Sequence, residues 1–449
     1  MGRFDTMVTV QLIQPPRSQG YGDNSRSACY VPLGLVSIAT YVQSQLPNAR
    51  VEILDGEFFD VNDIIDRLKP GSFVGLDTKA PNYESALLIA RAAKDISCRV
   101  ILGGVYASAI PERILSYRSA IVDHLVVGYG EIPVVEIING RTDPLIRNGS
   151  PAFNDIPLPK RDLFLDLEPY IENFQRQHKT WGNLRATNTF THVGCKYRCL
   201  FCERTKPTKG VYFVNPPRFW EEVTSLVQTH GIDYVVDFSD TLTQNTDFLR
   251  DLVEAKPAII NPQFHVFSTA DGINSATIEL LQRLNVKHVF VGVESGDETL
   301  ARTIHKGRDF SPKMTFDAIA QLAAVDIKVT PSFVLGLPGE SKETLQRTYD
   351  HARKIYDIFN FEEIFCAGLI PFPGSPAFRR LEQRVEARGQ LFYRDIYDPE
   401  QLRELWISEF CNVDSKEIME FTDKLLGLGK YRITIRKETT AGVGSDDGV

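Results

Sequence analysis

The chain has too few cysteines for crosslinks to hold it together. Seven in 449 residues make no disulfide framework, and four of them, Cys29, Cys98, Cys366 and Cys411, are scattered. These four are expected to be reduced and partly buried. No apolar run reaches the ~18 residues that a membrane span needs, so no membrane partner is expected. The N-terminal stretch lacks a signal-peptide core. No run of Lys and Arg exceeds two residues, and the net charge is −8. Nucleic-acid binders usually carry a basic excess or stripe, so nucleic acid is not an expected partner. What remains is a globular composition, with 43% hydrophobic and 24% charged residues. Its length suits two or three domains in a reducing cytoplasm. The last residues, 438–449, are small and polar and read as a disordered tail.

A fourth cysteine is also missing where it would be expected. Cys195, Cys199 and Cys202 stand in the run Gly194-Cys-Lys-Tyr-Arg-Cys-Leu-Phe-Cys202, spaced C-x3-C-x2-C. A structural zinc site takes four protein ligands in a closed tetrahedron. An electron-transfer [4Fe–4S] cluster also takes four cysteines. Three thiolates on one loop hold three corners of such a cluster and leave one iron open to bind and activate a substrate. The competing reading is a zinc site completed by a distant ligand such as His192.

Strands alternate with helices on both sides of this loop. In the first part, strands are expected over 8–13, 51–54, 72–77, 99–102 and 124–127, with helices over 33–46 and 83–96. That pattern predicts a parallel sheet covered on both faces, with ligands beyond the carboxyl ends of the strands. Residues 141–185, rich in proline, read as a packed linker. From 186 the alternation restarts and gives six β/α steps, ending in a strand over 363–369. This is two short of a full eight-fold barrel. Residues 377–449 read as helical, with 378–389 the clearest helix.

Several motifs now fall into register. The cluster spacing with Phe201 before its last cysteine resembles the radical S-adenosylmethionine (SAM) enzymes. Further matches are Val291-Gly-Val-Glu294-Ser295-Gly296, Lys306-Gly307, Leu335-Gly336-Leu-Pro-Gly339-Glu340 and Pro371-Phe-Pro-Gly374-Ser375-Pro376. The loops of the first part, Pro15-Pro16, Pro32-Leu33-Gly34, Gly103-Gly104-Val105-Tyr106-Ala107-Ser108 and Gly128-Tyr129-Gly130-Glu131, resemble the cobalamin-binding domain of the cobalamin-dependent branch. The resemblance implies a Rossmann-like, doubly wound cobalamin-binding domain over 1–140 and a linker over 141–185. A (β/α)6 partial TIM barrel follows over 186–376, then a small helical region over 377–449.

The resemblance also implies roles. Cys195, Cys199 and Cys202 would hold a [4Fe–4S] cluster whose fourth iron takes SAM. Phe201, Phe238, Ser239, Asp240, Ser268, Glu294, Ser295, Gly336 and Glu340 would bind SAM. Residues 238–240 would meet its amine, and Glu294, Ser295 and 336–340 its ribose and adenine. Pro16, Thr78, Asn82, Gly103, Gly104, Tyr106, Ser108, Gly128, Tyr129, Gly130 and Glu131 would bind cobalamin. Tyr106 stands where the family has a histidine, and the Asp-x-His-x-x-Gly motif that ligates cobalt from below is absent. Cobalamin would then be held without a histidine, or the domain keeps only the fold. His124 lies inside a strand and reads as packed.

Reductive cleavage of SAM would give a 5′-deoxyadenosyl radical. The expected outcome is methylation of an unactivated carbon of a small molecule or peptide in natural-product biosynthesis. An external one-electron donor such as flavodoxin or ferredoxin would supply the electron. The alternatives are a radical rearrangement, cyclisation or ring contraction, and a redox sensor without turnover.

Overall fold

Runs of buried β-branched and aliphatic residues, punctuated by Gly and Pro, set the strands of both halves. A computed structural model describes residues 8–18, 28–149, 152, 154–203, 210–304, 306, 310–386, 394–429 and 431–433. In the first half these runs form β1 (Thr9–Gln14), β2 (Arg50–Asp55), β3 (Phe73–Asp77), β4 (Arg99–Gly103), β5 (His124–Gly128) and β6 (Leu145–Asn148). All pair in parallel, in the order β2-β1-β3-β4-β5-β6. The order reverses between β1 and β3, the switch point at which open α/β sheets bind ligands. Helices Leu33–Gln45 and Glu131–Ile138 cover one face, and Tyr83–Asp95 lies on the other.

The second half begins with β7 (Ala186–Thr189), followed by a short antiparallel pair, β8 (His192–Val193) with β9 (Tyr212–Phe213). Strands β10 (Tyr234–Asp237), β11 (Gln263–Thr269), β12 (Val286–Glu294), β13 (Lys328–Leu335) and β14 (Glu363–Gly368) curl on from β7, each parallel to its neighbour. A short β15 (Tyr431–Ile433) pairs with β14 as a seventh strand. The helices between them begin on side-chain caps at Asn245, Asn274, Ser311 and Ser341.

Three expectations need correction. The sheet of the first half has a sixth strand, β6, inside the expected linker. That linker also carries the α-helix Glu168–Gln177, which begins with Pro169 in its first turn, where a missing N–H costs nothing. The C-terminal region contributes a strand as well as helices. The tail over 438–449 and the end of the helix expected over 378–389 lie outside the described residues.

The helix Glu168–Gln177 joins the two halves. Its N-cap Leu167 and its Tyr170 and Ile171 belong to one apolar core that continues from beneath the first sheet into the barrel. Tyr170 Oη donates to Asp55 at 2.6 Å, at the end of β2. Asn188 of β7 donates from Nδ2 to the carbonyl of Val31 and accepts the Val31 N–H at 2.8 Å. At the far side, Asp395 accepts from Tyr83 and from two Arg118 nitrogens, while Tyr106 Oη donates to its carbonyl.

Candidate active site between the two sheets

The cysteine loop leaves β8 through Gly194, whose φ of +91° suits glycine. Its path is fixed at several points. Gly194 N–H donates to Asp240 Oδ2 at 3.0 Å, and Lys196 N–H to Gln244 Oε1 at 2.9 Å. Gln244 returns a bond to the Gly194 carbonyl. Tyr197 Oη donates to Asp271. Leu200, between the last two cysteines, is buried in the core, its N–H on Ile304 and its carbonyl on Ala377. The loop is therefore pinned by the apolar side chain between its ligands while Cys195 stays exposed and Cys199 and Cys202 half-buried.

Burial pushes the Cys199 thiol up to about 12 and that of Cys195 up to about 11. Ligation needs thiolates, so loading metal here releases protons. Among the described residues no three His, Cys, Asp or Glu side chains converge on one ion. A four-iron cluster asks for a different arrangement, with each thiolate on its own iron, and three cysteines spread along one loop fit it.

Lys306 stands next to this loop, buried, and pairs with the buried Glu294. Burial pulls its pKa down, but Glu294 and the thiols of Cys199 and Cys195 outweigh that and hold it raised. Glu294 sits at a φ of +65°, rare for a side chain of its size. A Cβ on Gly292 would lie 2.0 Å from Lys306 Nζ and 2.2 Å from Glu294 Oε1, so only glycine admits the pair. In the sequence Lys306 reads only as part of a motif, and a lysine in a Lys-Gly pair gives no hint of burial.

The SAM-set residues divide. Phe238 and Asp240 face a cavity of about 240 Å³ together with His192, Val193 and Gly194. Ser239 does not face it. Its hydroxyl donates to Asp237 and accepts from the N–H groups of Thr191 and His192. Ser268 is paired with Thr243 at 2.6 Å. Ser295 meets Thr348 and accepts from Asp297 N–H. Glu340 closes its own turn, accepting from the N–H groups of Gly336 and Leu337 and from Thr344. Burial pushes Glu340 up to about 7. Phe201 packs half-buried on the core. His192 carries Thr191 Oγ1 on one ring nitrogen and the Thr241 N–H on the other, so it braces the loop.

The cobalamin set divides too. Gly103, Gly104, Gly128, Tyr129, Gly130 and Glu131 line a slot of about 170 Å³ between the first sheet and its two covering helices. Gly34 and Gly75 line it as well, and a Cβ on Gly34 would meet nothing within 4 Å. The glycines let a flat group approach the backbone between aliphatic walls such as Leu12, Ile38 and Val134. Ser108 accepts from Gly128 N–H and faces the cavity shared with Asp240. Thr78 and Asn82 are spent on the backbone, Thr78 on the Gly103 carbonyl and Asn82 on the Pro15 and Asp77 carbonyls. Asn82 still borders a third cavity of about 380 Å³ at the domain junction. Pro16 packs against Gly56, whose Cβ would strike its nitrogen at 2.2 Å. Tyr106 turns away, packing tilted against Tyr83 at 4.6 Å between ring centres, with its hydroxyl on the Asp395 carbonyl. His124 is packed, with Nδ1 at 2.8 Å from the Asp143 carbonyl.

The model of the radical SAM superfamily matches residues 189–352, and that of the B12 binding domain residues 24–138. The chain belongs to the cobalamin-dependent radical SAM enzymes. Its slot and cysteine loop fit the cofactors that the family carries: a [4Fe–4S] cluster, SAM and cobalamin. This radical SAM enzyme is 24% identical over 377 residues to an uncharacterized methyltransferase of Pyrococcus horikoshii, covering 77% of each chain. It is 23% identical over 356 residues to the anaerobic magnesium-protoporphyrin IX monomethyl ester cyclase of Rubrivivax gelatinosus, covering 73% of this chain and 61% of the cyclase. Among solved structures, it shares its fold with the radical SAM methyltransferase TsrM of Kitasatospora setae, seen with cobalamin and a [4Fe–4S] cluster bound. There the TM-score is 0.66 and the identity 18%, over 84% of this chain and 78% of TsrM. Among the described residues no helix is long and apolar enough to cross a membrane.

Proposed function

We propose that this enzyme methylates an unactivated carbon of a small-molecule substrate. One observation carries the reading: residues of the cobalamin-type loops and of the cysteine loop face one cavity. Gly104, Ser108, Gly128 and Tyr129 stand on one side, and Gly194, Phe238 and Asp240 on the other. When bound, the cluster with SAM supplies radical chemistry and cobalamin supplies a methyl group; the protein positions them and excludes water. Cys195, Cys199 and Cys202 hold the cluster. Asp240 offers a carboxylate to the amine of SAM, and the pair Lys306–Glu294 fixes the strand end beside it. The glycine slot takes the flat tail of the corrinoid. The electron comes from a donor such as flavodoxin or ferredoxin in a reducing cytoplasm. The working division into domains keeps the barrel at 186–376 and extends the first unit to Asn148.

A second reading, cyclisation or rearrangement, is favoured by the likeness to the anaerobic cyclase. One experiment separates the two. Anaerobic, reconstituted enzyme is given methyl-labelled SAM, a strong reductant and candidate substrates. Methylation yields S-adenosylhomocysteine and 5′-deoxyadenosine in near-equal amounts and a labelled product. Turnover with 5′-deoxyadenosine alone overturns methylation in favour of the second reading.

A further inference from the structure

The amino ends of the barrel strands, opposite the cysteine loop, border a cavity of their own. It measures about 190 Å³ and opens where β13 and β14 begin, at Lys328 and Glu363. β13 runs ~23 Å from Lys328 to Leu335, at ~3.3 Å per residue, so this cavity stands apart from the cofactor loops. Ile319, Val329 and Phe361 give it apolar walls, and Asp326, Glu362 and Glu363 bring carboxyl groups to it.

Two features leave negative charge there unanswered. The first is the carboxylates. Glu363 is 9% exposed, and among the described residues no group donates a hydrogen bond to its side chain. His178 Nδ1 stands 3.8 Å from its Oε1, beyond hydrogen-bond range. Glu362 Oε2 is buried without a hydrogen-bond partner, and Lys328 Nζ approaches it only to 3.6 Å. Buried polar groups in folded proteins are almost always paired. The second is the helices. Pro312–Ala323 and Lys342–Phe359 both end at this cavity, and neither carries a basic residue in its last turn. The carboxyl end of a helix holds about half a negative charge and favours a cation. His288, which also lines the cavity, adds no positive charge, since burial first and then His265 and Lys328 keep its imidazole neutral.

The cation is not a metal ion, because among the described residues no three His, Cys, Asp or Glu side chains converge on one point. Apolar walls beside a buried carboxylate suit an organic cation, which has N–H groups to give and a carbon stem to bury. We propose that this cavity is a binding site for a small free primary alkylammonium, its N–H groups on Glu363 and Glu362 and its stem along Ile319, Val329 and Phe361. The site is separate from the reaction centre and does not depend on the methylation reading.

The test is equilibrium dialysis against the anaerobic holoprotein, with SAM present to fill the site at the cysteine loop. The probes are pentylamine and pentan-1-ol, which share a stem and differ in the charged N–H head. Pentylamine should bind saturably and about tenfold more tightly, as for charge-assisted hydrogen bonds in a sheltered site. Glu363→Gln should bring pentylamine down to the level of the alcohol. Ala323→Phe, at an exposed helix end on the cavity wall, should weaken both probes. Lys328→Met removes the competing cation and should tighten pentylamine, an outcome that a purely structural Glu363 would not give. Melting temperatures report that each variant is folded. No saturable binding of pentylamine, equal affinities for the two probes, or a preference that survives both Glu363→Gln and Ala323→Phe would each overturn the site.

Discussion

At the scale of single residues, the chemistry rests on groups whose surroundings oppose their charge. Replacing Cys195, Cys199 and Cys202 by Ala should abolish bound iron and the cluster's visible absorption. Ala at Cys29, Cys98, Cys366 or Cys411 should leave both, and iron analysis with absorption spectra decides. Glu294→Gln leaves the buried Lys306 charge without its partner. Breaking a buried pair from one side costs about 3–5 kcal/mol, so apoprotein melting should fall sharply, and Glu294→Gln with Lys306→Met should recover much of the loss. Glu340 gives a pH signature. Its folded pKa is raised to about 7 from an ordinary 4.5, with burial as the main cause. Between these values the folded state binds more protons than the unfolded one, so this group's contribution to stability falls as pH rises from 4.5 through 7. Glu340→Gln should raise the melting temperature at pH 8 relative to the parent and flatten the slope across that window.

At the scale of elements, glycine placement decides what the loops can do. Gly128 has φ +94°, and a Cβ there would lie 2.0 Å from the Asn148 carbonyl, so Gly128→Ala should unsettle the pairing of β5 with β6. Gly34 faces open slot, so Gly34→Leu should leave the circular dichroism spectrum and melting intact while abolishing corrinoid binding measured by gel filtration and absorbance. The same distinction explains what was legible in the sequence. Long apolar strands such as β12 and β13, and helices opened by Ser311 or Ser341, announce themselves through periodicity and caps. β6 and β15 do not, because four or three residues carry too little pattern, and their pairing is decided by neighbours far along the chain. The cysteine spacing was legible because its three thiols are local. The roles of Ser239, Thr78 and Tyr106 were not. A hydroxyl or phenol in a cofactor-type loop reads alike whether it meets a ligand or a backbone carbonyl, and here Tyr106 meets Asp395.

At the scale of the molecule, two polar clasps add to the shared core and the Tyr170–Asp55 bond in holding the halves together. One is the Asp395 group, which joins the C-terminal region to helices of the first half through Tyr83, Tyr106 and Arg118. Asp395 is 3% exposed, so Asp395→Ala strands a guanidinium and a phenol. Hydrogen exchange should then speed up both at 394–398 and around Tyr106, while β7–β13 stay protected; unchanged exchange would show that the clasp carries no load. The other clasp is Asn188, whose carboxamide engages the N–H and C=O of Val31 as a neighbouring strand's peptide group would. A side chain thus imitates main chain and carries the ladder of one sheet to the doorstep of the other. Swinging the halves apart would break both bonds of that imitation in a dry setting. The loops proposed to seat the two cofactors are therefore stitched along this seam, as two pages are at the spine.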